Sequence, residues 1–474
     1  MHLHFLGAAQ TVTGSAYLLE TAKQRFLIDA GLSQGSHRSE RRNTRPLPFH
    51  PRHLDGIILT HAHADHSGLV PRLVAEGFRG PIYATPPTID LCRILLADSG
   101  TIQEEDARYE NKWRRRYGKE PLVPLYTKQQ AEQSMRYFER LPYSKRISLG
   151  RNVKLTLHDA GHILGSAIVE LEVEGSRIVF SGDLGNKNTP LLRSPAPIGH
   201  ADYLIVESTY GDRLHGDPDV RVRQLIDVVR SAKGPIIIPA FAVERTQELL
   251  WDLADLIREG RIPEIPIYLD SPMAISATGV FEKHISCLAP EVQVRFRGGE
   301  SPFEMSNLHI MREADESRTL NGVQGPCIII SASGMCEGGR VKHHLLHHLP
   351  KPETTVLFVG YQAERTLGRR LRDGAREVTL FGESVPVRAR IQSIDAYSAH
   401  ADAQGLLEWV GQMIEPPAMT FVTHGEPRAS EALSESLMKR FGLLTEIPRV
   451  GDVYEITPIA ESAFGRLAPK GQLA

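Results

Sequence analysis

The sequence predicts an α/β protein in which one domain is interrupted by another. Three observations carry this. Residues of metal-ligand type stand at the ends of short apolar runs from Asp29 to Glu207, and again from His400 to His424. Between these blocks lie continuous apolar runs, each followed by a helix-like or glycine-rich segment, which is the signature of a parallel sheet. The chain of 474 residues is also too long for one ordinary core. The expected divisions are residues 1–208 and 386–458 for the ligand-bearing domain, 209–385 for the insert and 459–474 for a loose tail.

Composition narrows the class. The chain is 41% hydrophobic and 24% charged, as soluble globular proteins are. Its net charge of −2 means that binding a polyanion would need a local basic patch, not a global field. Cys92, Cys287, Cys327 and Cys336 are scattered without a C-x-x-C pair. They suggest neither a zinc knuckle nor a disulfide framework and fit a reducing cytosol, so a cytoplasmic location is expected. The first residues enter a strand pattern directly, without the basic and apolar regions of a signal peptide. No run approaches the roughly 20 apolar residues of a membrane helix.

Taken in order, residues 3–7 and 16–19 read as strands around a loop rich in small residues. Arg25-Phe26-Leu27-Ile28 is a strand ending in Asp29, whose place suggests that it orients a ligand or holds the next loop. Gly56-Ile57-Ile58-Leu59-Thr60 is a buried strand, and His61-Ala62-His63-Ala64-Asp65-His66 follows at once. Imidazole with carboxylate suits zinc. Four ligands in six residues crowd a single tetrahedral ion, so two ions are expected, one taking His61 and His63 and the other Asp65 and His66.

Residues 67–150 are mostly helical in pattern. Within them, Asn111-Lys112-Trp113-Arg114-Arg115-Arg116-Tyr117-Gly118-Lys119 mixes basic and aromatic side chains. Two readings stay open for it: a nucleic-acid backbone surface and a solvated helix face. Strand grammar returns at 153–157, leading to His162, and at 177–181, leading to Asp183. Flanking glycines let the backbone turn these side chains toward a common centre. His158 reads as structural. Tyr203-Leu204-Ile205-Val206-Glu207 is a further strand ending in a carboxylate. The insert's apolar runs are 235–241, 265–270, 327–331 and 355–360, and His400 and His424 come after it.

Together these residues resemble the metallo-β-lactamase superfamily, and within it the β-CASP nucleases related to the pre-mRNA 3′-end cleavage endonuclease and its bacterial and archaeal relatives. The resemblance covers nearly the whole chain. It rests on Asp29, residues 61–66, His162, Asp183, Glu207, His400 and His424 in family order. It rests also on Pro239-Ala240-Phe241-Ala242-Val243, Ser333-Gly334-Met335 with Gly338-Gly339, and Gly360-Tyr361-Gln362-Ala363 in the insert.

The resemblance implies an αββα sandwich with two zinc ions at one edge. His61, His63 and His162 would hold one ion, Asp65, His66 and His424 the other, and Asp183 would bridge them. It implies a hydroxide between the ions as nucleophile, His400 as proton donor and Glu207 as its partner. A His at the last motif, here His424, points to RNA over DNA, so single-stranded RNA is the expected substrate. Cutting is expected inside the strand, with 5′-exonuclease activity as an accompaniment. Ser333, Gly334 and Met335 would offer backbone N–H groups to a phosphate, with Arg365 and Arg369 as further contacts. A homodimer is expected by analogy alone. Two other classes stay open. A small-molecule metallohydrolase has no use for the insert, Glu207 or His400, and a non-catalytic RNA-binding subunit has no use for seven ligands.

Overall fold

Strand alternation sets the core. Val153, Leu155 and Leu157 alternate with polar residues along Val153–Asp159, and all three are buried, as a strand with one face on a core requires. The computed structural model describes residues 1–458 except 36–39, 151, 188, 217, 361, 364 and 395–396. The expected tail at 459–474 lies outside the described residues.

The first region contributes β1 (His2–Phe5), β2 (Tyr17–Glu20), β3 (Arg25–Ile28), β4 (Gly56–Ile58), β5 (Ile82–Ala84), β6 (Phe138–Arg140), β7 (Ile147–Ser148), β8 (Val153–Asp159), β9 (Ala167–Val173), β10 (Ser176–Phe180) and β11 (Tyr203–Glu207). The segment expected to be mostly helical carries the helices Val70–Ala75, Pro86–Arg116 and Lys128–Ser134, with β5, β6 and β7 among them. The middle region contributes β12 (Pro235–Pro239), β13 (Ile267–Leu269), β14 (Leu308–Ile310), β15 (Cys327–Ser331), β16 (Thr355–Val359), the hairpin β17 (Glu377–Leu380) and β18 (Glu383–Pro386), and β19 (Arg390–Ile394). The last region adds β20 (Met419–Thr423), β21 (Thr445–Glu446) and β22 (Val453–Glu455).

Two seven-stranded sheets result, in the orders β22-β1-β2-β3-β4-β5-β6 and β21-β20-β11-β10-β9-β8-β7. They stack face to face over Leu3, Phe5, Phe26, Ile28, Leu155, Val169, Phe180, Ile205 and Phe421. Helices cover both outer faces. Leu27 and Ile57 pack with Val70, Leu73 and Ile89 on one side, and Val179, Leu204 and Val422 pack with Leu406, Trp409 and Leu433 on the other. This is the expected αββα sandwich. The C-terminal strand β20 joins β11 in parallel, β21 joins β20 in parallel, and β22 closes the other sheet against β1. The last region therefore completes both sheets begun by the first.

The insert is a six-stranded parallel sheet, β14-β13-β15-β12-β16-β19. One boundary needs correction. Strand β19 pairs with β16 along its whole length, so the insert's sheet runs past the expected limit at 385. Arg390-Ile391-Gln392-Ser393-Ile394 is an edge strand with only Ile394 buried, and so lacks the apolar run that marks its neighbours.

Phe421 fixes the stacking of the two sheets. It is 1% exposed, and its ring lies 5.1 Å from that of Phe5 and 4.7 Å from that of Tyr454. Phe421→Ala is expected to cost about 3–5 kcal/mol. Thermal unfolding of the two proteins side by side measures this as a clear drop in the first transition.

Candidate metal centre

The ligand-type residues stand where strands of the sandwich end. Asp29 follows β3, residues 61–66 follow β4, Asp183 follows β10, Glu207 ends β11 and His424 follows β20. Parallel pairing of β3 with β4 and of β10, β11 and β20 puts these ends on one edge. Two of the residues turn sharply off their strands. Asp29 has φ +59° and His424 φ +47°, a region that β-carbon-bearing residues enter at a cost and that clusters at functional sites. Gly31 lets the loop close, since a β-carbon there would lie 1.7 Å from the carbonyl oxygen of Asp65.

Two groups of donors form around Asp183. In one, His61 Nε2 lies 3.1 Å from His63 Nδ1, which lies 3.2 Å from His162 Nε2. Asp183 Oδ2 is 3.5 Å from His61 Nε2 and 3.6 Å from His162 Nε2. In the other, His66 Nε2 lies 3.2 Å from His424 Nε2, and Asp65 Oδ2 is 3.7 Å from that same atom. Asp183 Oδ1 is 3.3 Å from His66 Nε2 and has no hydrogen-bond partner. A zinc ion with ligand distances of about 2.0–2.1 Å spaces tetrahedral donors about 3.3 Å apart. The spacings here fit that figure, so the residues present fit a metal ion in each group.

Electrostatics favour free donor nitrogens over protons in the group of His61, His63 and His162. Burial drives the imidazoles of His61 and His162 far below their ordinary pKa, helped by His66 beside the first and His400 beside the second. His63 is lowered too, again chiefly by burial. Asp183 is held well below the carboxylate range: burial opposes ionisation, but His424, His66 and His61 outweigh it. For His66, burial is outweighed by Asp183 and Asp29, so its pKa rises.

Supporting groups aim the ligands. Asp29 accepts hydrogen bonds from Thr60 N–H and Thr60 Oγ1, both at 2.8 Å, and lies 2.7 Å from His66 Nδ1. This turns His66 Nε2 toward Asp183. Thr60 Oγ1 is also 3.1 Å from His61 Nδ1. Thr209 Oγ1 sits 3.1 Å from His424 Nδ1. Sequence reasoning missed Thr60 and Thr209. The available signal is position in the chain, with Thr60 next to His61 and Thr209 two residues past Glu207. It missed Glu244 as well, a buried insert residue at φ +69° that accepts from Leu164 N–H at 3.1 Å, two residues past His162.

His400 lies beside the cluster. Its Nδ1 is 3.3 Å from Glu207 Oε1, and its ring centre lies 4.3 Å from that of His162, the two planes tilted by 45°. Burial lowers its pKa, but the charge and hydrogen bond of Glu207, with Asp183 and Asp65, push it up to about 9. Glu207 is itself fixed by Leu184 N–H at 2.6 Å. His158 is elsewhere, 2.9 Å from Glu170 across the β8–β9 pair, in the structural role expected of it.

In the insert, Ser333, Gly334 and Met335 follow β15 in a loop pinned by Gln362, which donates to Gly334 O at 3.0 Å. Gly334 packs against Phe241, where a β-carbon would lie 3.0 Å from the ring. Arg365 is exposed at φ +69°. Arg369 Nε donates to both carboxylate oxygens of Asp373 at 2.9 Å.

Comparison with known proteins agrees with this layout. Residues 18–200 match the metallo-beta-lactamase superfamily domain, 246–371 the Beta-Casp domain and 384–448 the Zn-dependent metallo-hydrolase RNA specificity domain. The chain is 36% identical to Ribonuclease TTHA0252 of Thermus thermophilus, over 94% of this chain and 98% of that protein. The chain belongs to the β-CASP ribonuclease family. An RNase J-like protein of Methanocaldococcus jannaschii is 33% identical over 96% of this chain and 99% of its own length. Transcription termination factor FttA of Methanosarcina mazei is 33% identical over 93% of this chain and 69% of its own length. A solved Enterococcus faecalis protein of unknown function shares the fold, with TM-score 0.55 and 12% identity, over 96% of this chain and 99% of that one. No described helix of this β-CASP protein is long and apolar enough to cross a membrane.

The Asp29 contacts give a direct test of how the site is held. Asp29→Ala strands the Thr60 N–H and frees the His66 ring. Metal affinity is expected to fall about 10–100-fold, read by competition with a chromophoric chelator, while circular dichroism stays unchanged.

Proposed function

We propose that this protein hydrolyses phosphodiester bonds of single-stranded RNA with a pair of zinc ions, leaving a 5′-phosphate and a 3′-hydroxyl. Asp183 carries the reading, because its two oxygens face two separate sets of donors. His61, His63 and His162 would hold one ion, and Asp65, His66 and His424 the other, with Asp183 between them. Bound there, the pair would supply a water made acidic near neutral pH and positive charge against the phosphate.

The chain's own residues supply the rest. Glu207 engages His400 at Nδ1, which leaves Nε2 to give its proton to the departing 3′ oxygen. A nearby carboxylate favours the protonated ring. Leu184 N–H fixes Glu207, so the ring cannot swing away without breaking a buried contact. Ser333, Gly334, Met335, Arg365 and Arg369 line the insert side as contacts for the strand, Arg369 with its guanidinium oriented by Asp373. Cleavage is internal in this reading, with 5′-exonuclease activity alongside it. The protein acts in the cytoplasm, as a homodimer.

A time course on one RNA labelled at either end, beside the same sequence as DNA and with or without chelator, tests this. Zinc-dependent internal products from RNA alone are expected. His400→Ala is expected to lower kcat by about 10²–10⁴-fold while zinc content stays unchanged. Equal cleavage by this variant contradicts the acid role, and failure of the zinc-loaded protein to cut RNA contradicts the substrate.

A further inference from the structure

The helix Pro86–Arg116 begins beside the metal centre and ends in solvent. Thr85 and Thr88 donate side-chain hydrogen bonds to the carbonyl of Gly165, three residues past His162. Asp90, a turn further on, accepts from Lys283 Nζ at 2.6 Å and lies 2.7 Å from His284 Nε2, both in the insert. From Pro86 to Trp113 the helix rises about 40 Å.

Its last turns carry two rows of side chains. Tyr109, Trp113 and Tyr117 are spaced by four residues and are 79%, 52% and 63% exposed. Arg108, Lys112 and Arg116 form the adjacent row and are all exposed. Residues four apart share a helix face, so an aromatic ridge runs beside a basic one. The rings of Trp113 and Tyr117 are 4.3 Å apart, and Lys119 Nζ lies 5.2 Å from the Trp113 ring centre. The chain after Gly118 folds back and braces the ridge. Asn111 exchanges two hydrogen bonds with the backbone of Leu122, and Arg114 donates to Glu120 O.

Between 108 and 119, Arg108, Lys112, Arg114, Arg115, Arg116 and Lys119 face a single carboxylate, Glu110, in a chain of net charge −2. Glu110 is itself engaged by Arg114 at 3.5 Å. A helix face that meets only water has no use for three exposed rings in one row. Stacking rings beside cations is the arrangement that holds a single strand without reading its sequence.

We propose that this helix end is an auxiliary platform for single-stranded RNA, remote from the metal centre, with bases stacking on Tyr109, Trp113 and Tyr117 and phosphates meeting Arg108, Lys112 and Arg116. The proposal rests on the ribonuclease reading above and deepens it. A strand long enough to cover both places is held at two points, and a short one at the metal centre alone. The exposed Leu122 and Val123 beside the ridge make a second copy of the chain the competing occupant.

Trp113 reports on this directly, because Trp251 and Trp409 are buried at 8% and 2% exposure. The full chain is titrated with a phosphorothioate oligouridylate of about 24 nucleotides, longer than the roughly 4–16 nucleotides of a single binding fold. Saturable quenching is expected, absent in Trp113→Phe, with a midpoint raised about tenfold or more in Lys112→Glu/Arg116→Glu. In cleavage assays, Tyr109→Ala/Trp113→Ala/Tyr117→Ala is expected to raise KM for the long RNA, with kcat unchanged and no effect on an oligomer of about four nucleotides. No quenching, or the same midpoint in the charge-reversed protein, overturns the platform even while RNA is cut. A Trp113 emission that shifts with protein concentration alone overturns it in favour of self-association. Quenching by RNA that the zinc-loaded protein never cuts supports the platform and sinks the ribonuclease reading instead.

Discussion

Seven side chains with ligand atoms converge at one edge of the sandwich, and burial lowers the pKa of three of their imidazoles. Asp183 lies between them, ionised and with one oxygen unpartnered. Such a set is costly to bury without cations, because buried donors and a buried charge need partners. Metal bound by these donors would therefore contribute to folding. The rest of the site is arranged to keep these donors aimed: Asp29 and Thr60 behind His61 and His66, Thr209 behind His424, and Glu244 of the insert behind the loop of His162.

The fold makes this convergence cheap in conformational terms. His424 sits one residue past β20, and His61, His162 and Asp183 each sit three residues past β4, β8 and β10, so the strands' hydrogen bonds fix where these side chains begin. The sharp turns at Asp29 and His424 then redirect the chain within a single residue. Because β20 returns from beyond the insert to pair with β11, His424 reaches the centre only when both halves of the sandwich are assembled. The insert contacts the loop of His162 through Glu244 and the helix Pro86–Arg116 through Lys283 and His284 on Asp90. Its placement and that of His162 are thus linked through buried polar contacts.

Much of this was readable from residue order. The convergence of these donor-type residues is legible because strand ends announce themselves, with an apolar run, then small residues, then a His or Asp. The interruption is legible because β12, β15 and β16 are buried on both faces and read as continuous apolar runs. Strand β19 is not legible in this way, since an edge strand has no such run, and the insert's sheet extends past residue 385. Thr60, Thr209 and Glu244 were hidden because a hydroxyl or carboxylate that acts by touching another side chain carries no spacing signature. The stretch 111–119 looked ambiguous in sequence. Its two rows become distinct only once the helix is known to run unbroken to Arg116.

The central claim is that two ions sit on either side of Asp183. Anomalous diffraction from crystals of the purified protein, collected across the zinc absorption edge, tests it most directly. The account predicts two zinc peaks about 3.5–4 Å apart, one against His61, His63 and His162 and one against Asp65, His66 and His424. A single peak, or none with these side chains in the positions described, would contradict it.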